Sequence, residues 1–355
     1  MHQPLTEQAT LASVNETLEE FFERSIEDAT AIDASYRQLW EVLYGLIRSG
    51  GKRLRPRMTL LAYDAFGGRD EASIVPVAAA QELLHFSLLI HDDIIDRDDI
   101  RYGTLNVAGR YKKTYAKFIT DKDDQTHFAH GAAILGGDLM LSGAHQLVAL
   151  SSLNDEQKTF AQRLLSQSVF EVAGGELLDT ESSFVPYSDG DALKIARYKT
   201  AGYSFATPLL TGAGIAGTSD SRLGTLREFA TALGIAFQLV DDLLGVFGEE
   251  ATTGKSTTSD ITEGKRTYMI EQAVRSMTVL EKNRFMSSFG NHAATADEIE
   301  DVKQLLVSTG AKAATEKRVN EYARTALALL DDLKFGENHH EAFLKLVKQV
   351  TERAY

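Results

Sequence analysis

Apolar residues recur three and four positions apart along almost the whole chain, and this spacing is typical of helices with one buried face. The clearest helical segments are residues 74–95, 156–178, 222–247 and 310–333. Alternating β-branched runs closed by Asn-Gly or Asp-Gly turns, the usual signals of strands, are missing. The polar stretches 121–126 and 249–262 indicate loops. The pattern therefore predicts an all-α fold.

The chain shows neither a break in composition nor an internal repeat. We predict a single all-α domain over residues 1–355, with residues 1–30 as a peripheral N-terminal helix. The N-terminus lacks the basic start and the apolar run of a signal peptide. No stretch reaches the roughly 18 uncharged apolar residues of a membrane span. We expect a cytoplasmic protein without a membrane span.

Charge and cysteine content exclude several functions. The chain has 37 basic and 51 acidic residues and a net charge of −14. This balance argues against a nucleic-acid partner, because phosphate backbones are bound by basic surfaces. The surplus of carboxylates suits a protein that binds divalent cations. There is no cysteine, so disulfides, thiolate metal sites and cysteine nucleophiles are excluded.

A first acidic motif, Asp92-Asp93-Ile94-Ile95-Asp96, ends the apolar run Val75–Ile95. A helix that is apolar on most sides is buried inside a bundle. Asp92 and Asp96 are four positions apart and therefore project from the same face. Carboxylates this close repel one another, and a cation such as Mg²⁺, which prefers a few carboxylates plus substrate phosphates, relieves that repulsion. A solvated acidic helix end is the alternative.

A second acidic motif ends another apolar helix, where Gln238 and Asp242 are four positions apart and Asp241 is adjacent. Two carboxylate clusters on facing helices could hold several metal ions around a diphosphate.

Basic residues are expected around a diphosphate, because metals neutralise only part of its charge. The candidates from the sequence are Arg101, Lys199 with Thr200, Lys255, and Lys265 with Arg266. Each could instead be a solvated surface residue. Residues 50–57 (GGKRLRPR) place four cations at a helix start, where backbone amides and cations form a diphosphate site that needs no metal. His85, two turns before Asp92, is either a core histidine or a ligand of a second phosphate group.

With these motifs assembled, the sequence resembles the trans-isoprenyl diphosphate synthases, the polyprenyl synthase family, and geranylgeranyl diphosphate synthases in particular. The motifs are GGKRLRP at 50–56, HDDIID at 91–96, KT at 199–200, FQLVDDLLG at 237–245 and GKRT at 264–267. The resemblance implies an all-α isoprenoid synthase bundle with a central cavity, a homodimer and three Mg²⁺ ions per active site. It also implies head-to-tail addition of isopentenyl diphosphate to an allylic diphosphate.

The resemblance assigns roles residue by residue. The implied metal ligands are Asp92, Asp96 and Asp241, with Asp242 beside them as a further candidate. The implied allylic diphosphate contacts are Arg101, Lys199, Thr200, Gln238, Lys255 and Lys265. The implied isopentenyl diphosphate contacts are Lys52, Arg55 and His85. The released diphosphate is the implied base, so no side-chain base is needed.

The sequence departs from the family pattern at two positions. Tyr102 replaces the second arginine of the usual Arg-Arg-Gly, which removes one expected phosphate contact. Gly245 ends the second motif where a third aspartate is common.

The floor of the cavity for the growing chain is predicted from residues before Asp92, namely Leu84, Ser87 and Leu88. In the family, large aromatic residues four or five positions before the first aspartate shorten the product. Leu88 and Ser87 occupy those positions here, so we predict a product of twenty carbons or longer. Another helix supplying the floor is the alternative.

Three other functions are weighed against the transferase. A class I terpene cyclase shares the fold and the first motif but usually lacks the GGKRLRP site. A di-iron carboxylate bundle is suggested by Glu-x-x-His spacing at Glu82 with His85 and at Glu337 with His340. A catalytically silent partner of a true synthase would be expected to lose an aspartate motif, and both are present.

Overall fold

The computed structural model describes residues 7–101, 103–185, 191–248 and 259–352. The first helices are α1 Glu7–Thr30, α2 Ala34–Arg48, α3 Leu54–Ala65, α4 Glu71–Ile95, α5 Val107–Tyr115, α6 Lys122–Leu150, α7 Asp155–Ser182 and α8 Asp191–Ile195. A π-helical segment, Ala196–Ala206, follows α8. The remaining helices are α9 Thr207–Ile215, α10 Asp220–Phe247, α11 Ser259–Thr262, α12 Tyr268–Ser276, α13 Val279–Ser288, α14 Ala296–Ser308, α15 Ala311–Leu333 and α16 Glu337–Thr351.

The all-α prediction is confirmed. The four segments predicted as helices correspond to α4, α7, α10 and α15. Within the described ranges, strands are confined to the short antiparallel pair β1 Ile100–Arg101 and β2 Thr104–Leu105.

The prediction of a loop at 121–126 is wrong, because α6 begins there. The Asp121 side chain accepts hydrogen bonds from the backbone N–H groups of Asp123 and Asp124, at 2.9 and 3.0 Å. Such an N-cap satisfies donors that have no partner within the helix, so a polar sequence starts a helix here. Of the other predicted loop, residues 249–258 lie outside the described residues and 259–262 form α11.

The chain divides into two compact units, residues 1–166 with 208–218, and residues 167–207 with 219–355. The single domain and the peripheral N-terminal helix both stay predictions.

In the first unit, α4 packs against α6, α3 and α1. Helices α4 and α6 approach closely at Gly137, where an added Cβ would lie 2.1 Å from His91 Nε2. A side chain at position 137 would therefore displace the His91 ring, which precedes the first aspartate motif. The core beside it is built from fully buried side chains, including Ile74, Leu83 and Met140.

In the second unit, α10 packs against α15 and against the π-helical segment. The rings of Phe205, in that segment, and Phe237, in α10, have centroids 5.3 Å apart. About two turns earlier in α10, Phe229 packs edge-on against Phe343 of α16, with ring centroids 5.7 Å apart. The second aspartate motif therefore lies on a helix packed along much of its length.

Helices α4, α6 and α10 are long and apolar enough to cross a membrane by length and composition alone. In α4 and α10, 72% and 67% of the most apolar window is buried inside the protein, against 39% in α6. Length and composition do not separate a membrane span from a buried core helix, so the absence of a span stays a prediction.

Candidate active site

The first aspartate motif closes α4. Asp92 and Asp93 lie in its last turn and Asp96 is its C-cap residue, with the Asp96 N–H donating to the Asp92 carbonyl at 2.8 Å. Carboxylate oxygens of Asp92 and Asp96 lie within 4.8 Å of each other. The spacing predicted from the sequence is thus present, and it suits a shared divalent cation.

Arg101, on β1, binds two carboxylates of this motif. Its Nη2 donates to Asp92 Oδ2 at 3.0 Å and its Nε donates to Asp93 Oδ1 at 2.5 Å. Burial raises the pKa of Asp93 to about 6, although the Arg101 charge opposes this shift. The Asp93 side chain is 7% exposed, so it is part of the support beneath the motif.

The second motif lies in the last turns of α10. Gln238 Nε2 donates to Asp242 Oδ1 at 2.8 Å, and the Thr200 hydroxyl donates to Gln238 Oε1 at 2.6 Å. Burial raises the pKa of Asp242 well above its usual value, and the charges of Asp260 and Asp241 raise it further. A bound cation would remove this penalty on the ionised form.

Lys199 lies in the π-helical segment and contacts two acids of α7. Its Nζ is 2.9 Å from Glu176 Oε2 and 2.6 Å from Asp179 Oδ2. The two segments approach so closely at Gly175 that an added Cβ would lie 2.3 Å from the Lys199 backbone nitrogen. π-Helical turns occur frequently at functional sites, and this one places Lys199 and Thr200.

Lys265 follows the short helix α11. Its backbone N–H donates to the Asp260 carbonyl at 3.0 Å. Its Nζ lies 3.4 Å from Glu263 Oε2 and 3.6 Å from Asp260 Oδ1. Lys255 and Tyr102 lie outside the described residues, so their predicted roles have no structural description.

The start of α3 has the glycine-rich geometry predicted for residues 50–57. Gly51 has a φ of +122° and Arg53 is left-handed at φ 48°. Arg53 serves the fold, because its guanidinium donates to Glu82 Oε1 at 2.7 Å and to the Ile47 carbonyl at 2.9 Å. Lys52 is exposed and Arg55 is half-buried.

His85 is near this cationic cluster. Burial, followed by the charges of Arg55, Arg101 and Arg53, lowers its pKa well below the usual value. His85 is therefore neutral near pH 7, and we expect it to interact with a phosphate by hydrogen bonding rather than by charge.

The predicted cavity floor lies on α4 as well. Leu84 and Ser87 are both 1% exposed, and Leu88 is half-buried. The Ser87 hydroxyl is buried without a hydrogen-bond partner, and the role of these three residues as a cavity floor stays a prediction.

The sequence did not single out Glu176, Asp179 or Asp260. The acidic spacing of Glu176 and Asp179, three apart on one helix face, was the available signal. The structure also weighs against the di-iron alternative. Glu82 is bound by Arg53, and Glu337 is an exposed residue at the first position of α16.

Two kinds of sequence comparison identify the family of this chain. The sequence model of a family described as polyprenyl synthetase matches residues 37–306. A geranylgeranyl diphosphate synthase of Sulfolobus acidocaldarius is 34% identical over 271 residues, 76% of this chain and 76% of that protein. A geranylfarnesyl diphosphate synthase of Aeropyrum pernix is 31% identical over 309 residues, 85% of this chain and 90% of that protein.

A solved structure supports the same fold. The geranylgeranyl pyrophosphate synthase of Corynebacterium glutamicum, crystallised with isoprenyl diphosphate and magnesium, superposes with a TM-score of 0.92 at 31% identity. The match covers 99% of this chain and 100% of that chain. The predicted resemblance and the predicted fold class are both confirmed.

Proposed function

The chain belongs to the polyprenyl synthetase family, and on this premise we propose that it is a Mg²⁺-dependent trans-prenyltransferase. It adds isopentenyl diphosphate head-to-tail to an allylic diphosphate and gives a trans-prenyl diphosphate. The observation that carries the proposal is the first motif, in which Asp92 and Asp96 bring carboxylate oxygens within 4.8 Å of each other at the end of an apolar helix.

The donor set fits Mg²⁺. Asp92, Asp96, Asp241 and Asp242 offer hard carboxylate oxygens, the ligands Mg²⁺ takes together with substrate phosphates. Three ions per active site follow from the family resemblance. When bound, Mg²⁺ stabilises the negative charge on the departing diphosphate.

The protein's own side chains bind and orient the two diphosphates. Arg101, Lys199 and Lys265 supply cations to the allylic diphosphate, and the Thr200–Gln238 hydrogen bond fixes two neutral polar groups beside the second motif. Lys255 completes this set by resemblance. The cations near the α3 start, Lys52 and Arg55, bind isopentenyl diphosphate together with neutral His85. Placing fixed charges where the diphosphate leaves is the largest contribution expected from the protein.

The product contains twenty carbons or more. Ser87 and Leu88 leave the α4 face without an aromatic ring at the positions that limit chain length in the family. The names of the relatives, geranylgeranyl and geranylfarnesyl diphosphate synthases, agree with this range.

The functional unit is a homodimer. Phe170 and Leu177 lie seven residues apart along α7, Phe184 follows in the turn after its end, and each of the three is at least 69% exposed. Such a run of large apolar side chains is typical of a covered surface. Sedimentation of the wild type and of Phe170→Glu checks this part: the substitution should shift the protein from dimer to monomer.

The proposed function is tested with labelled isopentenyl diphosphate and allylic primers of five, ten and fifteen carbons, with Mg²⁺ or with excess chelator. We expect Mg²⁺-dependent incorporation and products of at least twenty carbons. Asp92→Asn is the matched loss-of-function variant, and Asp297→Asn, an exposed helix-start residue, is the control. Failure of every primer to incorporate label would refute the transferase, and cyclised hydrocarbons as the only products would indicate a cyclase.

A further inference from the structure

A buried carboxylate lies on α12, outside the predicted diphosphate contacts. The Glu271 side chain is 3% exposed. Its neighbours along the helix, Met269, Ile270 and Ala273, belong to the buried apolar core of the second unit. A charged group in such surroundings is costly unless it is hydrogen-bonded. The partners of Glu271 therefore indicate its role.

Glu271 binds the backbone of a different segment. Its Oε1 accepts a hydrogen bond from the Ala192 N–H at 3.0 Å. Its Oε2 lies 3.9 Å from Nη2 of Arg275, one turn later in α12. Ala192 lies in the first turn of α8, where backbone donors have no partner within the helix. Glu271 thus satisfies a buried donor and joins the start of α8 to α12.

The start of α8 affects how the helical stretch after it is rotated. α8 continues without a break into the π-helical segment, which carries Lys199 and Thr200. This segment packs closely against α10 at Gly234, where an added Cβ would lie 2.6 Å from the Ala201 Cα. A glycine brings two backbones close together, but it offers no side chain that would fix the rotation of one helix against the other. A directional hydrogen bond at the start of the stretch does so.

The same helix, α12, begins beside another predicted diphosphate contact. The Thr267 side chain caps its start, two residues after Lys265. Arg266 Nη1, between them, donates to the Val185 carbonyl beyond the end of α7 at 3.4 Å. The turn that carries Lys265 and the helical stretch that carries Lys199 are therefore connected through α12.

We propose that Glu271 is a positioning residue for the allylic diphosphate. Its carboxylate fixes the rotation of the π-helical segment, and so directs Lys199 and Thr200 toward the same diphosphate group as Lys265. This inference rests on the proposed function, because the roles of these three residues come from it. Glu271 itself acts through the backbone of Ala192 and needs no contact with the substrate.

The first test needs no substrate. Deuterium uptake of the full-length protein is measured by mass spectrometry in the wild type, Glu271→Met and Glu271→Gln. Methionine has a similar length and suits the apolar core, but it removes the acceptor of the Ala192 N–H. We expect faster uptake in peptides covering residues 191–206 of E271M. Uptake in E271Q should stay near that of the wild type, because the amide oxygen can accept the same hydrogen bond.

The second test separates the two substrates. E271M should raise the KM for the allylic diphosphate about tenfold or more, because a misplacement of about 1 Å in an active site can cost about a hundredfold. The KM for isopentenyl diphosphate should be unchanged, and E271Q should restore the allylic KM. Arg222→Met is the matched control. It removes another hydrogen bond from a side chain to a helix end, that of Arg222 Nη2 to the Leu333 carbonyl at 2.9 Å, and should leave both KM values unchanged.

Unchanged uptake over residues 191–206 in E271M would overturn the inference, as would equal rises in both KM values or an allylic KM that rises as much in Arg222→Met. Glu271→Asp keeps the charge and shortens the side chain by one methylene. It should change uptake and allylic KM in the same direction, so the tests stand even if E271M does not fold. Prenyl transfer by the wild type is measured in parallel. An inactive wild type refutes the proposed function, whereas an active wild type with unchanged uptake and KM in E271M refutes only the role of Glu271.

Discussion

Gly175→Ala is predicted to damage both stability and substrate binding, because it adds one methyl group between α7 and the π-helical segment. The new Cβ would lie 2.3 Å from the Lys199 nitrogen and 2.7 Å from the Lys199 Cα. An ordinary van der Waals contact begins at 3.4 Å, so the new Cβ and the Lys199 nitrogen would have to move about 1 Å farther apart. Both neighbours are backbone atoms, so no side-chain rotation can relieve the contact and the two segments must move apart.

The magnitude follows from two opposing effects. Overpacking of this kind costs about 1–3 kcal/mol, and backbone partners place this case near 3 kcal/mol. Alanine in a helix interior is intrinsically better than glycine by about 1 kcal/mol. The net expectation is a loss of about 2 kcal/mol in the free energy of unfolding. Gly224→Ala in α10 is the matched control. Nothing lies within 4 Å of its added Cβ, so it should stabilise by about 1 kcal/mol.

Urea unfolding of the two variants measures this difference, and steady-state kinetics measures its effect on Lys199. Displacement of Lys199 should raise the KM for the allylic diphosphate in Gly175→Ala and leave it unchanged in Gly224→Ala. Equal stability of the two variants, with equal KM, would show that close approach at Gly175 is not required.

Three further predictions concern α3 and α4. Ser87→Phe should shorten the product by filling the cavity floor, and an unchanged product distribution in chromatography would contradict this role. Arg53→Met should lower the free energy of unfolding by about 3 kcal/mol, because it leaves the buried Glu82 charge without its partner. The double variant with Glu82→Leu should recover most of that free energy, as measured by urea unfolding. The lowered pKa of His85 means that only the unfolded chain binds a proton there below about pH 6.5. Wild-type stability should therefore fall more steeply on acidification than that of His85→Asn, by up to about 1.4 kcal/mol per pH unit, and parallel curves would refute this.

The sequence was sufficient to predict the fold class and the shared face of Asp92 and Asp96, because both depend on local helical periodicity. The pairing of Lys199 with Glu176 and Asp179 was not predictable from spacing. These acids lie 20 or more positions earlier in the chain, and their contact requires the tertiary approach at Gly175.

The error at residues 121–126 has a different origin. Polar composition was interpreted as a loop, but one aspartate cap is enough to begin a helix with polar residues in its first turn. The glycine at 245 illustrates a third limit. The sequence shows that no side chain projects from this position, but it does not show that the Asp260 carboxylate of another segment lies over it.

The π-helical segment Ala196–Ala206 gives a particular meaning to gaps in alignments of this family. Each i→i+5 turn holds one residue more than an α-turn, so a relative that lacks one residue here can close to an ordinary helix. The residues on one side of the deletion would then rotate relative to those on the other, and Lys199 and Thr200 lie within the rotated stretch. A one-residue length difference in this segment would therefore indicate that the predicted diphosphate contacts are reoriented. The same difference in a surface loop would leave those contacts unchanged.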